Sequence, residues 1–253
     1  MPHATATDGV KLYYEDAGDG PPILFIHEFA GDWRAWEPQV SHFSRRRRCI
    51  AYSARGYPGS DIPENIDSYS QDIARADALA VLDHLGIEKA HIVGLSMGGF
   101  ATLHFGMAYP DRALSLTVCG CGYGAETHTR EEFRNLSLAV ADNFENRGAA
   151  DYAEEYVTVP GRLTFRDKDP RGWAAFVARL AEHPDIGSAL TQRGVQSSRP
   201  GLWDLEENIR AIPVPTMIVT GDDDQRCLAP GLFMKDLIER SRLFVMRLLR
   251  AES

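Results

Sequence analysis

The run Gly94-Leu95-Ser96-Met97-Gly98 constrains this chain more than any other segment. Before it lies Ala90-His91-Ile92-Val93, a short strand-like run. After it, Met97 to Tyr109 has the pattern of a helix stopped by Pro110. A strand that turns into a helix through one residue leaves no room for side chains beside that residue, hence glycine at 94 and 98. The apex side chain is left exposed. The helix that starts there offers N–H groups without partners, and the Met97 N–H is suited to bind an oxyanion. A serine hydroxyl at such an apex is placed to attack a carbonyl while those N–H groups hold the charge that develops. A plain glycine-rich turn is the competing reading, and the flanking strand and helix weigh against it.

The surrounding pattern extends this strand–turn–helix unit. Val10 to Glu15 alternates after an Asp8-Gly9 turn and predicts a hairpin. Ile23 to Ile26 is a continuous apolar run, as a strand buried on both faces requires. Cys49 to Tyr52 is a weaker strand. Ser68 to Leu85 carries an apolar stripe closed by Gly86 and predicts a helix, and Leu114 to Val118 predicts a strand. From Gly120 to Ile212 helical periodicity takes over, with Phe133, Leu136, Val140 and Phe144 on one face and Trp173, Phe176, Val177 and Leu180 on another. Strand character returns at Thr216 to Thr220, followed by a helix over Gly231 to Arg240 and a last strand over Leu243 to Met246. The expected organisation is an α/β core over 1–120 and 213–253, with a helical cap over 121–212.

Three more segments fall at strand ends. His27-Glu28-Phe29-Ala30-Gly31 follows Ile26, Arg55-Gly56-Tyr57-Pro58-Gly59-Ser60 follows Tyr52, and Gly221-Asp222-Asp223-Asp224 follows Thr220. In this order, with the glycine–serine–glycine turn, the set resembles the capped serine hydrolases of the α/β-hydrolase superfamily: esterases, lactonases and carbon–carbon bond hydrolases. The resemblance implies a mostly parallel sheet with a helical cap inserted between strands six and seven. It implies Ser96 as nucleophile, the Phe29 and Met97 N–H groups as oxyanion hole, and Asp224 as triad acid, with Asp223 as runner-up. Serine at the apex argues against haloalkane dehalogenases and epoxide hydrolases, which carry aspartate there. His27, Glu28 and Trp173 are further candidates for the substrate pocket. The plainer roles are a brace of the loop for His27 and packing against the core for Trp173.

The chain departs from the family pattern twice. Glu28 stands where glycine is usual, which puts a carboxylate near the site. No histidine follows His183, although the family places its base after the last strand, where this sequence reads Arg247-Leu248-Leu249-Arg250-Ala251-Glu252-Ser253. His27, His128 and His183 are the first alternatives to examine as base. The expectation is therefore a C-terminally truncated carboxylic ester hydrolase with impaired activity. The alternatives are an inactive pseudo-hydrolase that binds a small acyl ligand, and a carbon–carbon bond hydrolase or enol-lactonase.

Composition narrows the partners. A formal charge of −9 gives no electrostatic reason to expect nucleic acid. The four cysteines match no zinc or redox spacing, and the motifs imply no metal or organic cofactor. No segment reads as a signal peptide or a membrane span, so a cytoplasmic protein acting on a small acyl substrate is expected. A last strand left uncovered at the sheet edge would favour a homodimer.

Overall fold

The computed structural model describes residues 2–158 and 160–247. Eight strands form one sheet: β1 (His3–Thr5), β2 (Lys11–Ala17), β3 (Pro22–Ile26), β4 (Arg48–Tyr52), β5 (Ala90–Leu95), β6 (Ala113–Cys119), β7 (Thr216–Gly221) and β8 (Ser241–Met246). Their spatial order is β1-β2-β4-β3-β5-β6-β7-β8. The β1–β2 and β2–β4 pairs are antiparallel, and every later pair is parallel. The parallel part needs crossovers, which α1 (Glu37–Phe43), α2 (Gln71–His84) and α3 (Met97–Ala108) supply.

Between β6 and β7 the chain leaves the sheet and builds α4 (Arg130–Arg147), α5 (Ala149–Val157), α6 (Pro160–Lys168), α7 (Pro170–Ala181), α8 (Asp185–Leu190) and α9 (Glu206–Arg210). A π-helix, Thr191–Gln196, continues α8. The chain is thus an α/β-hydrolase core with helices inserted between strands six and seven. These helices meet the core through Phe29, Tyr57 and Met97, which pack with Val140, Phe144, Leu190 and Val195. Arg34 with Glu182 and Arg179 with Glu37, both at 2.7 Å, pin the rim of that contact.

Element boundaries follow local chemistry. The predicted helix from Ser68 begins at Gln71, because the Ser70 hydroxyl accepts the Ile73 N–H at 3.1 Å and caps it there. The predicted helix Gly231 to Arg240 is instead α10 (Gln225–Leu237). It starts six residues earlier and runs through Pro230, which deprives Arg226 of its helical N–H partner.

The two sheet faces are unequally covered. Leu24, Ile92, Leu116, Val118 and Ile218 are buried beneath α2, α3 and α10. On the other face Trp36 and Val40 cover Ile23, Phe25 and Ala51. Further along, the row Leu95, Cys119, Val219, Phe244 runs across β5 to β8, and Phe244 is 57% exposed. Met217 and Met246 on this same face are also exposed. The tail 248–253, where the family pattern departs, lies outside the described residues.

Candidate active site

Ser96 stands between the last residue of β5 and the first of α3, with φ 52° and ψ −111°. It is the only non-glycine residue with positive φ among the described residues. Such a conformation costs on the order of 1–3 kcal/mol and persists only when its surroundings enforce it. They do so here. The Ser96 N–H donates to the Cys119 carbonyl at 2.8 Å, and the Ser96 carbonyl accepts the Phe100 N–H at 3.0 Å. A Cβ at Gly94 would lie 2.0 Å from the Gly98 carbonyl oxygen. A Cβ at Gly98 would lie 2.1 Å from the Ile26 carbonyl oxygen and 2.8 Å from that of His27. The absent side chains therefore let the loop after β3 press against the turn.

That loop is held by His27, which is fully buried. Its Nδ1–H donates to the Glu28 carbonyl at 2.7 Å, and its Nε2 accepts the Ala54 N–H at 3.0 Å. Both ring nitrogens are engaged, and burial lowers its pKa, so the ring is a neutral strut between the loops after β3 and β4. The Glu28 carbonyl also accepts the Gly31 N–H at 3.1 Å, which closes a tight turn around Phe29. Neither the Phe29 N–H nor the Met97 N–H has a hydrogen-bond partner among the described residues.

Glu28 folds its carboxyl back over Gly31, where a Cβ would meet Oε1 at 2.5 Å. Its Oε2 is buried without a partner, and burial pushes the carboxyl above its ordinary range. The side chain thus lies along its own turn. Trp173 is half-buried against Phe165 and Phe176, within the inserted helices.

Asp224 follows β7 and immediately precedes α10. The buried Cys227 thiol lies beside its carboxylate, and burial together with that negative charge pushes the thiol far up. The loop after β6 approaches closely, since a Cβ at Gly122 would lie 2.8 Å from the Cys227 Cα. Asp222 and Asp223 occupy the same turn.

No histidine hydrogen-bonds Ser96 or Asp224 among the described residues. His104 is buried inside α3, and the His128 side chain is exposed beside Glu126. His183 is buried with both ring nitrogens unpartnered, 3.9 Å from the Asp32 carboxylate and edge-on to Tyr57. Burial opposes ionisation of Asp32, but its hydrogen bonds from Arg34 prevail and hold the carboxyl below its usual range. Among the described residues no group of three or more His, Cys, Asp or Glu side chains is arranged to hold a metal ion.

Burial lowers the pKa of His183 to about 3 and that of His104 to about 4. In the unfolded chain both titrate near about 6.5. Between those values the unfolded state binds more protons, so stability falls as pH drops below about 6.5, by up to about 1.4 kcal/mol per pH unit for each ring. Urea midpoints at pH 7, 6 and 5 are expected to fall in the parent and to fall less steeply in His183→Gln. Equal slopes in the two proteins would contradict a neutral buried ring.

One cavity adjoins the turn, of about 30 Å³, lined by Tyr57, Met97, Gly98, Ala101, Thr191 and Val195 among others. Sequence reading did not place Tyr57, Thr191 or Val195 at the site. Tyr57 was legible only as part of a structural loop, and a π-helix carries no sequence mark.

A family model described as alpha/beta hydrolase fold matches residues 21–227. The chain belongs to the α/β-hydrolase family and is a hydrolase by that lineage. It is 30% identical over 229 residues to 3-oxoadipate enol-lactonase 1 of Acinetobacter baylyi, covering 90% of this chain and 81% of that protein. The crystal structure of the enol-lactonase from Burkholderia xenovorans matches with a TM-score of 0.83 at 22% identity, covering 97% of this chain and 91% of that one. A thermophilic esterase from Thermogutta terrifontis matches with a TM-score of 0.82 at 25% identity, covering 97% and 89%.

Proposed function

We propose that the chain carries the acyl-transfer centre of a serine hydrolase for carboxylic esters, with Ser96 as nucleophile. The observation that supports this most is the enforced positive φ of Ser96, which places its hydroxyl at a helix N-terminus. Ser96 Oγ attacks the acyl carbon, and the unpartnered N–H groups of Met97 and Phe29 receive the oxyanion. Asp224 is at the strand end from which a carboxylate steadies an imidazolium. Residues 184–253 contain no histidine, and no described histidine hydrogen-bonds Ser96 or Asp224. A serine hydroxyl without a base is a poor nucleophile, so the 253-residue chain is proposed to turn over slowly.

A second reading, opening of an enol-lactone, is favoured by the match to the Acinetobacter baylyi enol-lactonase along most of both chains. The two share the attack step and differ in whether the alcohol leaves. Hydrolysis of p-nitrophenyl acetate and of a small enol-lactone, each compared with Ser96→Ala in the presence of added imidazole, separates them. Ser96-dependent turnover of the ester supports the first, and of the lactone alone the second. Equal rates for parent and Ser96→Ala on both substrates would exclude Ser96 as nucleophile and leave a protein that only binds its ligand.

We also propose that a second copy covers the open face at β8. Among the described residues β8 is the outermost strand of the sheet and carries the exposed Phe244 and Met246, an apolar row that a second copy packed against it would bury. Light scattering is expected to give a dimer or larger mass, reduced to the monomer by Phe244→Lys. A monomeric parent at high concentration would contradict it.

A further inference from the structure

The turn that offers the Phe29 N–H is built on a residue with a carboxyl group. Glu28 stands where the family usually has glycine, and its carbonyl closes the turn by accepting the Gly31 N–H at 3.1 Å. The side chain folds back over Gly31, with Oε2 buried and unpartnered. So few covalent bonds separate its carboxyl carbon from the Phe29 nitrogen that the two lie within about 6 Å in any rotamer. An oxyanion held about 3 Å from that N–H is then within about 9 Å of the carboxyl. At that separation two like charges near a protein surface oppose each other by about twentyfold in an equilibrium constant. Glycine at this position brings no such charge.

The neighbours decide when the charge is present. Arg162 of α6 is the cation that faces Glu28, but its guanidinium is committed to Tyr156. It donates to the Tyr156 carbonyl at 3.0 Å and hydroxyl at 3.1 Å, and it lies 4.4 Å over that ring. Burial pushes the Glu28 carboxyl up, and the Asp32 carboxylate adds to the rise. Its own backbone N–H and Arg162 hold it down by less. His27 beside it is a neutral ring bonded at both nitrogens. Tyr57, from the loop after β4, is a phenol pushed well above its ordinary value, so it adds no charge. Glu28 therefore keeps its proton further up the pH scale than an exposed glutamate does.

We propose that Glu28 sets the charge of the oxyanion turn: as the neutral acid it leaves the Phe29 and Met97 N–H groups free to take a negative oxygen, and as the carboxylate it opposes that oxygen. It acts through the field at the hole, not by contact with the reacting atoms. This rests on Ser96 being the nucleophile and on the Phe29 N–H receiving the oxyanion.

The test is the rate at which an uncharged fluorophosphonate labels Ser96 in the presence of imidazole. It is followed by mass spectrometry at pH 5, 6, 7 and 8 on the 253-residue chain, Glu28→Gln and Glu28→Gly. Ser96 Oγ bonds to phosphorus, fluoride leaves with the electron pair of its bond, and imidazole takes the hydroxyl proton. Negative charge builds on the phosphoryl oxygen, which the hole receives. Imidazole titrates alike in all three samples, so the ratio of variant to parent isolates Glu28. Arg162 offsets part of the repulsion, so Glu28→Gln is expected to label about tenfold faster than the parent at pH 8. The ratio should shrink towards one as the pH falls and Glu28 takes up its proton. Glu28→Gly should show the same trend. A ratio of one at every pH, a ratio below one, or a faster rate that does not vary with pH would overturn the role of Glu28 while leaving Ser96 in place. No adduct on Ser96 in any of the three proteins would overturn the nucleophile, and the present proposal with it.

Discussion

Added imidazole is expected to accelerate hydrolysis of p-nitrophenyl acetate by the 253-residue chain by about a hundredfold over the unassisted protein, the low end of what a positioned general base contributes. The acceleration should vanish in Ser96→Ala, apart from the hydrolysis imidazole performs alone. The reasoning is local. His27 has both nitrogens engaged, and His183 and His104 are buried and hard to protonate. None of the three hydrogen-bonds Ser96. In a well-studied serine protease, loss of the triad histidine costs on the order of a millionfold in kcat, while the oxyanion hole still leaves about a thousandfold over water. A diffusing imidazole restores the proton acceptor but not its orientation, so recovery is partial. The assisted rate should climb as pH rises through about 6.5 to 7, where imidazole loses its proton. Rapid, Ser96-dependent turnover without imidazole would mean that the fold supplies a base, and His183→Gln, His27→Gln and His128→Gln would then find it.

The second large effect concerns the turn. Gly98→Ala is expected to destabilise the protein by more than about 4 kcal/mol, or to prevent folding, because its methyl would lie 2.1 Å from the Ile26 carbonyl oxygen. Neither group is a flexible side chain, so either β3 or α3 must move, and the Phe29 loop moves with it. Gly86→Ala is the matched control. Unlike Gly98, Gly86 has positive φ, at +64°, but nothing lies within 4 Å of its added methyl. Its cost should be that of the left-handed conformation alone, about 1–2 kcal/mol. Urea unfolding compares the two. Similar losses would mean that the close approach of strand and helix is relaxed at little expense.

Ser96 and its two glycines were legible because their geometry is decided within five residues. A strand meeting a helix with one residue between leaves few alternatives, and side-chain size alone marks the place. The alternation of strand and helix was legible for a similar reason, since buried parallel strands need unbroken apolar runs such as Ile23 to Ile26. The start of α10 was not. Proline is disfavoured inside a helix, yet Pro230 is held within α10 with Cys227, Met234 and Leu237 buried on either side. The double engagement of His27 was half visible: a brace was the plainer expectation, but its acceptor contact with the Ala54 N–H joins residues 27 apart. The cavity was invisible for a stronger form of the same reason. Its walls come from the elbow helix, the loop after β4, α2 and a π-helix nearly a hundred residues beyond the elbow, and no single segment carries a pattern for the space between them.

The central claim is that Ser96 is the reacting group of this chain. It is tested most directly by treating the protein with a fluorophosphonate in the presence of imidazole and mapping the adduct by mass spectrometry. The prediction is one phosphonylated site, on the peptide that carries Ser96, and no such adduct in Ser96→Ala. Labelling at another residue, or equal labelling of the parent and Ser96→Ala, would contradict it.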